Sequence, residues 1–278
     1  MPGTLFVVAT PIGNLEDITL RALRVLREVA VIAAEDTRRT AHLLARHAIA
    51  TPTTSLHEHN ETIRSVALVD RLRRGDNVAL VSDAGTPTVS DPGATLIRAA
   101  LDAGIRVEPI PGPSAVLAAL TASGFETDSF AFLGFPPTKV NARNAWFERL
   151  AAIGGTIVFF EAPHRILETL GDLRRVAGDC EVAIGREMTK AHEEVVKGQI
   201  SYIIQQLGVP RGEFTVVANV PESGTLASEP ADLVAEFGEM TANHGLTRRK
   251  AIGVLARRHG IAPNDVYARL ERAKKSVK

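Results

Sequence analysis

Short runs of apolar residues alternate, along the first half of the chain, with longer stretches in which apolar positions recur every three or four residues. Leu5–Ala9 and Val31–Ala34 predict strands, and Val78–Val81 predicts one buried on both faces. Arg106–Ile110 predicts a fourth. Ile18, Ala22, Val25, Leu26 and Val29 fall on one helical face, with Arg21, Arg24 and Arg27 opposite. Further helices are predicted up to His47, over Thr62–Arg74, over Ala94–Ala103 and up to Ser123, while Ala50–Asn60 reads as polar loop. Strand, loop and helix thus repeat four times, which predicts a parallel sheet with right-handed crossovers. Its loops at 10–14, 35–40, 82–93 and 111–115 all follow strand C-termini, so they should gather on one rim, where such sheets bind ligands.

The pattern changes after about residue 120. Phe130–Phe135 is strand-like, Pro136-Pro137 is a break, and Ala142–Ile153 is an amphipathic helix holding the single Trp. A buried strand at Thr156–Phe160, a helix to about Val176, a strand at Glu181–Ile184, a helix at Ile200–Leu207 and a last strand at Gly212–Val220 follow. Residues 221–230, rich in Ser, Gly, Glu and Pro, read as a linker. Beyond it Leu233, Val234, Phe237 and Met240 have helical spacing, Thr247 can cap another helix, and Val266, Tyr267 and Leu270 mark a last one. The expected domains are 1–120, 121–220 and a basic helical 231–278 whose spacing about Gly260 resembles a helix-turn-helix.

Composition narrows this. The 278 residues carry 32 basic and 32 acidic side chains, so the whole does not announce a nucleic-acid binder. The tail does: residues 241–278 hold ten bases and two acids, a balance that favours contact with a polyanion over a merely solvated face. The single cysteine, Cys180, excludes an internal disulfide or a cysteine metal cluster. No apolar run approaches the roughly 20 residues of a membrane span, and Leu5–Ala9 is too short for a signal peptide, so a soluble cytoplasmic protein is expected. No dinucleotide fingerprint, no phosphate-cradling Gly-Lys-Ser loop and no Gly-x-Ser-x-Gly elbow is present. What remains is a set of loops rich in Pro, Gly, Ser and Ala, suited to a folded, mostly neutral cofactor held by main-chain contacts.

Three of those loops carry a specific resemblance. Val8-Ala9-Thr10-Pro11-Ile12-Gly13-Asn14-Leu15, Ser82-Asp83-Ala84-Gly85-Thr86-Pro87 with Ser90-Asp91-Pro92-Gly93, and Pro111-Gly112-Pro113-Ser114-Ala115 resemble the S-adenosylmethionine-binding loops of the tetrapyrrole methylase superfamily. Glu35-Asp36-Thr37-Arg38, Phe160-Glu161-Ala162-Pro163-His164-Arg165 and Arg186-Glu187-Met188-Thr189-Lys190 narrow the resemblance to the branch acting on a cytidine 2′-hydroxyl of 16S rRNA. It implies an α/β fold of two α/β domains with a cofactor trough between them, completed by the small C-terminal helical domain. It also implies a homodimer acting on the small ribosomal subunit, with neither membrane nor DNA as partner.

By the same resemblance Pro11, Ile12, Gly13, Ser82, Asp83, Ala84, Gly85, Thr86, Ser114 and Ala115 would line the trough from one side, and Phe160, Glu161 and Ala162 from the other. Asp83 is open between binding the methionine amino group and fixing its own loop, and Ser114 between capping a helix and also meeting the ligand. In-line methyl transfer needs alignment above all, worth roughly 7–11 kcal/mol, with a base or cation near the hydroxyl adding about 10²–10⁴-fold. Lys190 is the first candidate, as a cation or as a base of lowered pKa; Glu187 and Asp36 stand behind it, each with a surface ion pair as the plain alternative. Arg38, Arg39 and Arg165 are candidate phosphate contacts, and His57 and Asn60 candidate loop or substrate contacts. His57 and His59 alone are a weak metal signal, and no metal is expected. The competing functions are methylation of a small tetrapyrrole and a non-catalytic RNA-binding module. The basic tail counts against the first and the intact loops against the second.

Overall fold

The alternation of apolar side chains along each strand decides the layering. A computed structural model describes residues 1–208, 210–221 and 247–258, with scattered positions between 234 and 271. In the first half, β1 (Thr4–Val8), β2 (Val31–Ala34), β3 (Thr53–Ser55), β4 (Val78–Val81) and β5 (Arg106–Ile110) form one sheet in the order β3-β2-β4-β1-β5. Every pairing in it is parallel. Val78 and Leu80 enter one core, with Leu5, Val31 and Ala33; Ala79 and Val81 enter the other, with Val8, Ile32 and Ala34. Helices α1 (Leu20–Glu28), α2 (Thr37–Arg46), α3 (Glu61–Arg73) and α4 (Ala94–Asp102) cover these faces. Each fully buried Leu, Ile or Val contributes about 1.5–3 kcal/mol, so this period-two pattern alone pins the register.

The second sheet runs β6-β7-β10-β8-β9, with β6 (Phe130–Phe132) parallel to β7 (Gly155–Glu161) and the remaining pairs antiparallel. Its other strands are β8 (Glu181–Arg186), β9 (Glu194–Gln199) and β10 (Phe214–Val220). Ile157 and Phe159 face the core under α6 (Val140–Ile153), α7 (Ile166–Ala177) and α8 (Ile200–Gln206). Val158, Ala183 and Val217 point the other way, against Val116, Ala119 and Leu120 of α5 (Ala115–Ser123). The helix that ends the first α/β unit in chain order is therefore seated on the second sheet, and it joins the two halves across the rim.

Two strands lie where the sequence predicted none. β3 falls inside the expected 50–60 loop, and β9 falls between the expected strand at 181–184 and the expected helix at 200–207, a stretch given no element. Both are edge strands, so solvent replaces one neighbour and polar residues such as Thr53, Thr54, Lys197 and Gln199 can occupy them. In the tail, α9 (Arg248–Arg258) buries Ala251 and Leu255 against Met240, Val266 and Leu270, and Arg248 pairs with Glu271. Residues 222–230 of the expected linker and half of the expected helix at 231–242 lie outside the described residues, as does the turn around Gly260. Among the described residues no helix is long and apolar enough to cross a membrane.

Candidate active site

The four loops predicted to share a rim are bonded to one another. Thr10 and Gly85 exchange backbone hydrogen bonds of 2.8 and 2.9 Å, and the Thr10 hydroxyl donates to the Ser82 carbonyl at 3.2 Å. The Asp36 N–H donates to Asp83 Oδ1 at 2.9 Å, the Asp83 N–H to Glu35 Oε2 at 3.3 Å, and the Thr86 hydroxyl to the Pro113 carbonyl at 3.3 Å. Gly85, at φ +77°, supplies the left-handed turn that lets its loop meet Thr10. A second-domain turn closes on the same place. Glu187 and Thr189 there adopt φ of +49° and +66°, and the Asn14 N–H donates to Thr189 Oγ1 at 3.0 Å. Gly13 has to be glycine, because a Cβ would come within 2.5 Å of Lys190 Cγ and 2.9 Å of the Met188 carbonyl oxygen.

These contacts enclose a cavity of about 410 Å³ between the two halves. Ile12, Asp83, Ala84, Gly85, Thr86, Ser114 and Ala115 line it from the first half, and Phe160, Glu161 and Ala162 from the second. Of the remaining residues assigned to the trough, Pro11 and Ser82 are buried behind the wall, and Ser82 donates to the Ala84 and Gly85 carbonyls to shape the loop. Gly13 sits at the seam against residues 188–190. Ser114 Oγ accepts the Leu117 N–H at 3.5 Å, so it caps α5 while also facing the cavity. The Asp83 carboxylate takes the Asp36 N–H and lies 3.5 Å from Arg39, which gives it a loop-fixing duty.

The candidate catalytic groups are less free than the sequence suggests. Burial pulls the Lys190 pKa down, but hydrogen bonds to Glu213 (2.8 Å) and Glu187 (3.0 Å) outweigh it and the ammonium is held above its ordinary value. Lys190 is therefore a fixed cation, and the alternative of a base with lowered pKa is set aside. The Lys190 hydrogen bond in turn holds Glu187 below the usual carboxylate range. Asp36 caps α2, and its hydrogen bonds to the Arg38 guanidinium and backbone N–H keep it firmly ionised. None of the three lines the cavity, although Glu35, Met188 and Glu213 beside them do.

The candidate substrate contacts divide in the same way. Arg39 lines the cavity, and Arg38 is 89% exposed beside it although doubly bonded to Asp36. Arg165 instead turns inward, donating to the Pro136 (2.6 Å) and Pro137 (3.3 Å) carbonyls and approaching Glu161 at 3.5 Å. That network explains Glu161 as well: its carboxylate is fully buried, bonded to Thr169 and to its neighbour's N–H, with Arg143 at 4.0 Å. Glu161 thus braces the wall more than it faces the ligand space. Asn60 accepts the His57 N–H at 2.9 Å and lies 3.1 Å from its ring, a local loop contact before α3, and neither residue lines the cavity. Among the described residues no group of three His, Cys, Asp or Glu side chains is placed to hold a metal ion.

The structure adds residues to which the sequence reading gave no role. Glu35, Asp91, Val89, Phe135, Met188 and Glu213 all line the cavity. Burial, followed by repulsion from Glu35, pushes the Asp91 carboxyl up to about 6, and burial likewise raises Glu35. Both acids lie in quoted motifs, but nothing in a linear pattern shows that the ends of β2 and β4 bring them together.

Comparison with known proteins gives this geometry a lineage. Residues 4–204 match the family described as Tetrapyrrole (Corrin/Porphyrin) Methylases. The chain is 44% identical over 98% of its length to the Ribosomal RNA small subunit methyltransferase I of Micromonospora olivasterospora, of which 87% is covered. It is 45% identical over 96% of its length to the protein of the same name from Mesorhizobium japonicum, of which 90% is covered. Among solved structures, the uroporphyrin-III C-methyltransferase of Thermus thermophilus complexed with S-adenosylhomocysteine has the same fold, with a TM-score of 0.55 at 18% identity over 77% of this chain and 97% of that one. With its two sheets, its interlocked rim loops and these relatives, the chain belongs to the tetrapyrrole methylase family, in the branch of the ribosomal RNA small subunit methyltransferases I.

Proposed function

We propose that this protein transfers a methyl group from S-adenosylmethionine to the 2′-hydroxyl of a cytidine in 16S rRNA of the small ribosomal subunit. The observation that carries the reading is the cavity itself, built where the strand-end loops of one half meet the second half in a family of methylases. Its chemistry suits the donor. Ile12, Phe135, Phe160, Met188 and Phe214 supply apolar wall for an adenosine, while Asp83 sets negative charge against a ligand bearing a sulfonium and an ammonium. A volume of about 410 Å³ falls within the range of small-molecule sites. When bound, the donor supplies an electrophilic methyl group, and the protein's part is to hold it in line with the incoming oxygen. The Lys190 ammonium at the rim favours the negative charge that develops on that oxygen, and Arg38 and Arg39 offer guanidinium forks to the flanking phosphates.

The rRNA substrate is taken from relatives that match nearly the whole chain at 44–45% identity, whereas the uroporphyrin enzyme shares the fold at 18%. A cytoplasmic location and a homodimer belong to the same reading. Mass-spectrometric nucleoside analysis of small-subunit rRNA, with and without the gene, tests it. Loss of one 2′-O-methylcytidine on deletion, restored by wild type, is expected; an unchanged nucleoside profile refutes the proposal. Calorimetric titration with S-adenosylhomocysteine tests the donor separately.

A further inference from the structure

We infer that Asp91, assisted by Glu35 beside it on the cavity floor, is the group that takes the proton from the ribose hydroxyl during methyl transfer. The inference rests on the proposed function and names the residue that function leaves unassigned. A ribose hydroxyl transfers its proton as it attacks, so a proton acceptor must lie inside the cavity and must be free to accept. Lys190 already holds its proton between two carboxylates, Glu187 is bound to Lys190, and Asp36 is bound to Arg38. Asp83 serves the Asp36 N–H and Arg39. Glu161 is sealed behind the wall by Thr169 and the Ala162 N–H. Asp91 and Glu35 line the cavity with no salt bridge to a cation among the described residues; Glu35 accepts the Asp83 N–H at 3.3 Å, and Asp91 meets only the Ser82 hydroxyl, so Asp91 is the better acceptor.

The fold also holds Asp91 in place. Its loop leaves Thr88 and Ser90 at φ +72° and +69°, conformations that non-glycine residues keep only when their surroundings impose them. Just beyond it, Glu61 of α3 accepts the Gly93 N–H at 3.0 Å and the Thr95 N–H at 2.7 Å, clamping the loop from outside the cavity. The groups that act on Asp91 are Glu35 from the end of β2 and Ser82 and Asp83 from its own loop, while Arg39 from α2 and Glu213 from the second half line the same cavity. Burial and the neighbouring acids raise its pKa to about 6, which leaves it ionised yet appreciably basic at neutral pH. In the step, the O2′–H bond breaks toward Asp91 as the O2′–CH3 bond forms and the S–CH3 bond breaks. The sulfonium leaves as a neutral thioether, and the proton passes from Asp91 to solvent after product departs.

The experiment uses the full chain, S-adenosylmethionine and small subunits isolated from a strain lacking the gene. Wild type is expected to make 2′-O-methylcytidine with a single-turnover rate that falls below about pH 6. Asp91→Asn is expected to lower that rate by about 10²–10³-fold and abolish the pH break, while binding S-adenosylhomocysteine within threefold of wild type by calorimetry. Glu35→Gln, which removes the charge facing Asp91, is expected to move the break to lower pH. Carbon-13 NMR of aspartate-labelled protein without donor or RNA gives an independent reading: one carboxyl titrating near 6, missing in Asp91→Asn. An Asp91→Asn protein that keeps its rate and pH break overturns the inference alone, as does one whose only defect is weakened binding of S-adenosylhomocysteine. A wild type that marks no cytidine overturns the proposed function and this inference with it.

Discussion

The two sides of the cavity handle charge in opposite ways. On the second-domain side every acid has a cation close by: Glu187 and Glu213 share Lys190, and Glu161 sits among Arg143, Arg165 and Thr169. On the first-domain side three acids, Glu35, Asp83 and Asp91, line the cavity, and the arginine that lines it with them, Arg39, is 67% exposed and 3.5 Å from Asp83. Paired charges make a rigid wall, because each partner fixes the other. Crowded, half-buried acids cost stability but remain able to bind a cation or exchange a proton. The difference suggests a division of labour, with one side holding shape and the other performing chemistry.

The largest expected effect comes from breaking the paired side. Arg143→Ala leaves the buried Glu161 carboxylate and the partly exposed Asp172 without the guanidinium that approaches them at 4.0 and 2.8 Å, and should cost about 3–5 kcal/mol. At roughly 2–4 °C per kcal/mol for a chain of this size, thermal melting should fall by about 10 °C or more. A drop of only a degree or two would mean the network is not holding the wall.

Next comes the seam. Gly13→Val puts a branched side chain where even a Cβ would lie 2.5 Å from Lys190 Cγ and 2.9 Å from the Met188 carbonyl oxygen. The two loops must part, and affinity for S-adenosylhomocysteine should fall at least tenfold by calorimetry, with a smaller loss of melting temperature. Unchanged affinity would show that the seam does not shape the donor site.

The acidic side predicts the opposite sign. The Asp91 carboxyl titrates at about 6 in the folded protein against an ordinary 3.8, so folding favours its protonated form. The folded state is then most favoured by this group below pH 4 and loses that advantage as pH rises through 6. Asp91→Asn, which cannot ionise, should raise the melting temperature at pH 7.5 by about 2–4 °C, allowing for solvent at the cavity mouth, and leave it unchanged at pH 4. A lower melting temperature at both pH values would remove the strained-acid picture. The smallest effect belongs to Lys190→Met. Its ion pairs lie at the rim, so the loss should be about 1 kcal/mol, and smaller in high salt. A chemical-denaturation series at two salt concentrations would check it.

Within the sheets, the one-dimensional pattern was a good guide where burial is uniform. The Val78–Val81 run reads as a strand because both of its faces meet a core, and the rim gathering of four loops followed from parallel topology. The pattern failed at edges. β3 and β9 carry threonines, lysine and glutamine because one side of each is open, so their hydrophobic signal is halved. Arg165 shows a different failure: an arginine beside a site motif looks like a phosphate contact, yet the carbonyls of Pro136 and Pro137 claim it.

The amino-acid order by itself determined the two α/β units, the small-residue loops and the chemical family, because strand burial and turn chemistry are written in short stretches. It did not determine which charges neutralise one another. That depends on distances between residues far apart in the chain, and pKa responds to burial and neighbours rather than to residue type. Lys190 was drawn to Glu187 and Glu213, Asp36 to Arg38, and Asp91 was left facing Glu35 across the end of the sheet only when β2 and β4 paired.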